Sequence, residues 1–198
     1  MKLNIANKLT ILRIILVPVF MFFILVPVIS YFWARCFAAA VFALAAITDF
    51  LDGKLARTMN MVTDFGKFLD PLADKFLIFG ALLAICASPD YSYMIIPNVI
   101  ASTVVIFREL AVTSLRLVAS SSNDRVVIAA SKLGKLKTCS QILFVLVAIL
   151  EPIIVDTESL VYQCHLFAYL TLILMTAMTV WSGYDYIKKY WDYLRPKD

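Results

Sequence analysis

Six segments of this chain, roughly 8–31, 33–57, 65–87, 92–118, 134–154 and 159–187, read as apolar stretches expected to cross a lipid bilayer. A spanning helix needs about 20 predominantly apolar residues, and backbone in hydrocarbon must satisfy its own hydrogen bonds. The expected fold is therefore all-α: a polytopic membrane protein with six transmembrane helices. With 198 residues, 62% of them hydrophobic and only 16% charged, the chain has length for a single membrane domain over 1–198 and little else. The breaks between spans are short: Pro27, Ser88-Pro89-Asp90, Ser120 to Asp124, and Glu151-Pro152. Ahead of the first span, Leu3, Ile5, Ala6, Leu9 and Leu12 are interleaved with Asn4, Asn7, Lys8 and Thr10, the pattern of a short N-terminal interfacial helix. The stretch from Leu9 to Tyr31 is too long for the apolar part of a cleavable signal and lacks a small-x-small cleavage site.

Basic residues set the expected orientation. An even number of spans puts both termini on one side, and of the 18 Lys and Arg only Arg35 falls on the other. The opposite loops instead carry Asp90, Glu151, Asp156 and Glu158. Both termini should then be cytoplasmic. The net charge of +4 calls for no nucleic-acid partner, because a cationic inner face suits anionic headgroups and phosphorylated substrates. Cys36, Cys86, Cys139 and Cys164 lack any metal or redox spacing and read as small apolar fillers. The single histidine, His165, falls near the outer surface, far from any acid cluster, so histidine-based catalysis is not expected.

The chemistry concentrates between Asp49 and Asp74, a stretch expected to lie in the membrane toward its cytoplasmic side, at the junction of the second and third spans. Carboxylates are costly in a bilayer and are kept mainly where they bind something. Asp49, Asp52, Gly53, Ala56 and Arg57 fall at helical steps 0, 3, 4, 7 and 8, a single stripe of two acids, two small residues and a guanidinium. Gly66, Asp70 and Asp74 repeat the logic at steps 0, 4 and 8, with Pro71 withholding a backbone donor beside them. Two such faces opposed would bring four carboxylates together, an oxygen-rich site for magnesium or manganese and for phosphate. Arg57 suits a phosphate oxygen, and a rim carboxylate could take the proton of an incoming hydroxyl. A salt-bridge lattice with Lys54, Arg57, Lys67 and Lys75, or a pathway for protons or cations, would also place charge here; neither accounts for small residues on the same stripes.

The run Asp-x2-Asp-Gly-x2-Ala-Arg-x8-Gly-x3-Asp-x3-Asp, matched at every position from Asp49 to Asp74, resembles the signature of the CDP-alcohol phosphatidyltransferases. Further blocks are similar to bacterial phosphatidylglycerophosphate synthases within that family: Asn4 to Arg13, Thr63 to Lys75, Arg108-Glu109-Leu110 and Ala130 to Thr138. The first block departs from the pattern at Ala6, where proline is usual. The resemblance implies a homodimer in the bacterial cytoplasmic membrane, with its active site facing the cytoplasm. It further implies that CDP-diacylglycerol is cleaved at its pyrophosphate, with CMP leaving and an alcohol attacking. On this chain it would place two divalent ions, Mg or Mn, on Asp49, Asp52, Asp70 and Asp74, with Asp74 also the candidate base. Gly53, Ala56, Arg57 and Gly66 would line the CDP pocket, and Asn7 and Thr10 would contact the nucleotide or cap the helix.

Within the family, the expected acceptor is sn-glycerol 3-phosphate. Arg108 and Arg116, eight residues apart, share a helix face, and Lys132 and Lys135 cluster at the start of the fifth span. These four are the candidate ligands for the acceptor phosphate. Lys137 and Arg125 are assigned only a topological role, and Glu109 the role of orienting a neighbouring arginine. An inositol phosphate, serine or phosphatidylglycerol is the alternative acceptor, and a cation or proton transporter the alternative from another class.

Overall fold

The computed structural model of the chain describes residues 5–59, 64–121, 132–155 and 158–191. Among them the secondary structure is helical throughout. The long helices are α1 (Ile5–Leu25), α2 (Tyr31–Met59), α3 (Asp64–Ala87), α4 (Ile95–Ser121), α5 (Lys132–Ile154) and α7 (Leu166–Lys189); α6 (Leu160–Gln163) is one turn. A 3₁₀ helix, Pro89–Met94, joins α3 to α4. Five stretches among the described residues are long and apolar enough to cross a membrane. The 24-residue α3 is not one of them, since its first half carries Asp64, Lys67, Asp70, Asp74 and Lys75.

Helix ends follow from local chemistry. The first span stops at Leu25, short of the expected Tyr31, because Pro27 supplies no donor and Ser30 serves the next helix, accepting from the Ala34 amide at 3.0 Å. The last span, expected to run unbroken over 159–187, is interrupted at His165, whose φ of 46° is left-handed. There the buried Glu151 carboxylate accepts from the Phe167 and Ala168 amides at 3.1 and 2.8 Å, so an acid from α5 caps the new helix. His165 itself stacks flat on Tyr93, 3.5 Å between centroids.

The N-terminal amphipathic lead is not a separate interfacial helix from Ile5 onward but the first turns of α1. Asn7, Thr10, Arg13, Val17, Phe20 and Ile24 form its buried stripe, with spacings of three or four residues. The stripe is polar for its first half and apolar for the second. That half-and-half division recurs on α5, where Lys137, Ser140 and Gln141 precede Phe144, Val145 and Ala148, whereas the buried face of α4 alternates, with Asn98 and Arg108 set among Ala101, Val105, Val112 and Leu115. The apolar halves meet in one core around Phe20, Phe42, Leu82, Phe144 and Met175. The polar halves are gathered at the opposite end of the bundle. The outer faces present Phe107, Ile100, Ile173 and Trp181 to the surroundings, as lipid-facing helices do.

Helix α1 packs on both α2 and α3, α5 on α7 and α2, and α4 on α7 and α3. The α1–α3 crossing is close enough that a Cβ on Gly80 would lie 2.5 Å from Val17 Cγ1. Val17 is fully buried and cannot swing aside. Replacing Gly80 with valine should therefore cost about 1–3 kcal/mol of stability, the usual cost of overpacking; an unfolding midpoint equal to wild type would show that the helices separate freely.

Candidate active site

The aspartates of α3 sit where its polar and apolar halves meet. Asp70 is exposed and Asp74 half-buried, one helical turn apart. Thr10 reaches from α1 and donates to Asp70 Oδ1 at 2.6 Å. With no exposed surface of its own, Thr10 fixes one of the two carboxylate oxygens. Asn7 is buried one turn before Thr10, and Gly66 is buried one turn before Asp70. Asp49, Asp52, Gly53, Ala56 and Arg57 lie in unbroken helical register near the end of α2, which runs to Met59. Their side chains are outside the described residues, so the proposed four-acid set is described on its α3 side alone. Among the described residues, no group of three or more potential ligands forms a metal centre. The two α3 acids are hard oxygen donors on one face, a donor set that fits Mg or Mn completed by phosphate and water.

A narrow cleft continues from Asp74. Lys75, Ile78, Glu109, Lys137 and Gln141 are among its walls, so α3, α4 and α5 all contribute. Lys75 donates to Thr113 Oγ1 at 2.5 Å, and Thr113 in turn donates to the Glu109 carbonyl at 2.7 Å, which ties α3 to α4. Glu109 is the hub of the charge network. Its Oε1 accepts from Arg108 Nη1 at 3.0 Å and is ion-paired with the Lys137 ammonium.

The expected orienting role of Glu109 is thus present, but Lys137 is more than the topological marker its sequence context suggested. Its side chain is buried, a position that a lysine holds only with a partner. Among the described residues, two donors in this region have no partner: Gln141 Nε2, on a residue lining the cleft, and Arg108 Nε.

Arg108 also donates to Ser182 on α7, and it lies against the Tyr186 ring with its guanidinium carbon 5.4 Å from the centroid. Gly183 makes that approach possible, since a Cβ there would come within 3.1 Å of Arg108 Cγ. Arg116, exposed at the end of the same α4 face, donates to the Tyr186 hydroxyl at 3.0 Å and is likewise 5.4 Å from the ring centroid. The structure therefore brings Arg108 and Arg116 together through one tyrosine. Lys132 and Lys135 are exposed on the first turn of α5 and make no ion pair among the described residues. Ser182, Tyr186, Thr113 and Gln141 escaped the sequence reading. Their only signal was a polar residue on a buried helical stripe.

Two comparisons show the family. The family model for the CDP-alcohol phosphatidyltransferases matches residues 3–181. A protein of Bacillus subtilis (strain 168) named CDP-diacylglycerol–glycerol-3-phosphate 3-phosphatidyltransferase is 38% identical over 207 residues, covering 97% of each chain. Proteins of the same name from Yersinia enterocolitica and Pseudomonas fluorescens are each 32% identical, over 99% and 98% of this chain and 100% and 93% of their own. The match runs through the acid-bearing α3, the Arg108–Glu109 pair and the Lys137 turn alike, and the chain belongs to the CDP-alcohol phosphatidyltransferase family.

Proposed function

We propose that the enzyme transfers the phosphatidyl group of CDP-diacylglycerol to the primary hydroxyl of sn-glycerol 3-phosphate, giving phosphatidylglycerophosphate and CMP. The observation that carries the reading is the cleft in which Asp74 shares walls with Lys75 and the Glu109–Lys137 pair. A carboxylate able to take a hydroxyl proton and two lysine cations thereby line one narrow cleft. The names of the relatives point the same way.

In this reading Asp74 accepts the proton of the attacking hydroxyl. Asp70, held by Thr10 through one oxygen, would turn the other toward the pyrophosphate. Bound Mg or Mn ions on these acids and on Asp49 and Asp52 would offset the pyrophosphate charge and favour departure of CMP. Arg57, Gly53, Ala56, Gly66 and Asn7 border the nucleotide. Arg108, Arg116 and Lys137, with the unpartnered Gln141 amide, receive the acceptor phosphate. Lys132 and Lys135, exposed at the rim, draw anionic acceptors inward. The distribution of basic residues supports a site and termini on the cytoplasmic side of a bacterial membrane. A homodimer is part of the same reading.

The test is an acceptor screen. Purified protein with CDP-diacylglycerol and magnesium should release CMP with glycerol 3-phosphate, and not with serine, inositol phosphate or phosphatidylglycerol. Equal release with serine would reject the acceptor assignment. Arg108→Ala should raise KM for glycerol 3-phosphate about tenfold or more, the loss of a charge-assisted hydrogen bond, with little change for the CDP-lipid. An equal rise for both substrates would place Arg108 elsewhere in the reaction.

A further inference from the structure

The bundle end away from Thr10 and Asp70 holds a second polar site, which phosphatidyl transfer does not use. Thr10 and Leu25 are 15 residues apart on α1, a rise of about 22 Å, so this end belongs to the other leaflet. A cavity of about 230 Å³ opens there between the ends of α1 and α3 and the start of α2. Phe23, Leu25 and Ile29 form an apolar wall, and Arg35, Ser88 and Asp90 supply polar groups.

Arg35 is 2% exposed, as buried as the hydrophobic core, and is the one basic residue that the sequence puts at this end. Its Nη2 donates to the Asp90 carboxylate, and its guanidinium carbon lies 4.9 Å from the centroids of both Tyr31 and Tyr91. Among the described residues Nη1 has no hydrogen-bond partner, and neither have the Ser88 and Tyr91 hydroxyls. Unmade hydrogen bonds on a buried guanidinium are costly, and a polar ligand in the cavity would meet them. The Asp90 side chain is 43% exposed, so its carboxylate reaches the rim.

We infer that this cavity holds the headgroup of an aminophospholipid from that leaflet, its phosphate on Arg35 and Ser88 and its ammonium on Asp90. The pairing of charges decides the class. Arg35 and Asp90 together are neutral, so a purely anionic headgroup gains little there, whereas a phosphate with an attached amine answers both. A quaternary ammonium cannot donate a hydrogen bond to Asp90 and fits less well. The apolar wall takes the first carbons of an acyl chain.

The experiment is native mass spectrometry of the full chain in detergent, with dioleoylphosphatidylethanolamine, dioleoylphosphatidylcholine and dioleoylphosphatidylglycerol in competition. One phosphatidylethanolamine should be retained at least fivefold over the other two, and excess CDP with magnesium should not displace it. Asp90→Asn should erase the preference over phosphatidylcholine, and Arg35→Gln should abolish retention. Ser88→Ala, which leaves the Arg35–Asp90 pair in place, should weaken retention several-fold and serves if Arg35→Gln does not fold. Equal retention of the three lipids, displacement by CDP, or wild-type retention by Asp90→Asn and Ser88→Ala would each overturn the site.

Discussion

Asp74→Asn should remove phosphatidyl transfer, lowering turnover by at least about three orders of magnitude while the protein stays folded. The substitution keeps size and shape but not chemistry. Asparagine cannot accept a proton at neutral pH, and general-base assistance alone contributes roughly 10²–10⁴ in rate. It is also a poorer ligand for a hard cation than a carboxylate, so a second loss adds to the first. Asp74 is half-buried at the mouth of a cleft rather than in the apolar core, so little stability should change. Asp70→Asn tests the neighbouring position, where Thr10 can still donate to the amide oxygen and hold the side chain in place. CMP release followed with CDP-diacylglycerol and glycerol 3-phosphate, beside a thermal unfolding curve, separates chemistry from folding. Wild-type turnover in Asp74→Asn would remove the proposed base.

Glu109→Ala should be the most destabilising single change near the site, by about 3–5 kcal/mol, the cost of stranding a buried charge. Glu109 answers two cations at once, Arg108 and Lys137, whose side chains are 10% and 7% exposed. Removing it leaves two like charges facing each other across α4 and α5. A partial recovery should follow when Lys137→Met is added, since one of the two stranded charges is then gone and the methionine stem keeps the packing. Glu109→Gln should fall between wild type and Glu109→Ala, because it keeps an acceptor without the charge. The readout is the unfolding midpoint in detergent or lipid nanodiscs; an unchanged midpoint for Glu109→Ala would mean that water reaches both cations.

The acid spacing was legible because helical periodicity alone puts Asp70 and Asp74 on one face, and the structure keeps that face. The buried stripe of α1 was partly hidden. Asn7, Thr10 and Arg13 look like the polar side of an interfacial helix when read alone, and only the neighbours that cover them show them to be core. Lys137 was misjudged for a related reason. A lysine near the end of an apolar span looks the same whether it faces water or an acid, and its partner Glu109 lies 28 residues away on another helix. Arg35 stood out in the sequence for its side of the membrane, but its burial and its unmet donor depend on where Tyr31, Ser88 and Tyr91 fold around it. Span ends were misplaced where a proline or a left-handed residue, rather than hydropathy, ended the helix, as at Pro27 and His165.

The missing methyl at Gly80 also acts as a pivot for a lever. Ten residues of α3 separate it from Asp70, an arm of about 15 Å, so a tilt of about 5° at the crossing would carry that acid sideways by roughly 1 Å. An offset of that size is enough to cost an enzyme about a hundredfold in rate. The alignment of the acids is therefore set partly at a contact that touches no substrate, where α1 and α3 are allowed to meet backbone against side chain. Gly80 should then be one of the positions at which activity fails before the protein unfolds.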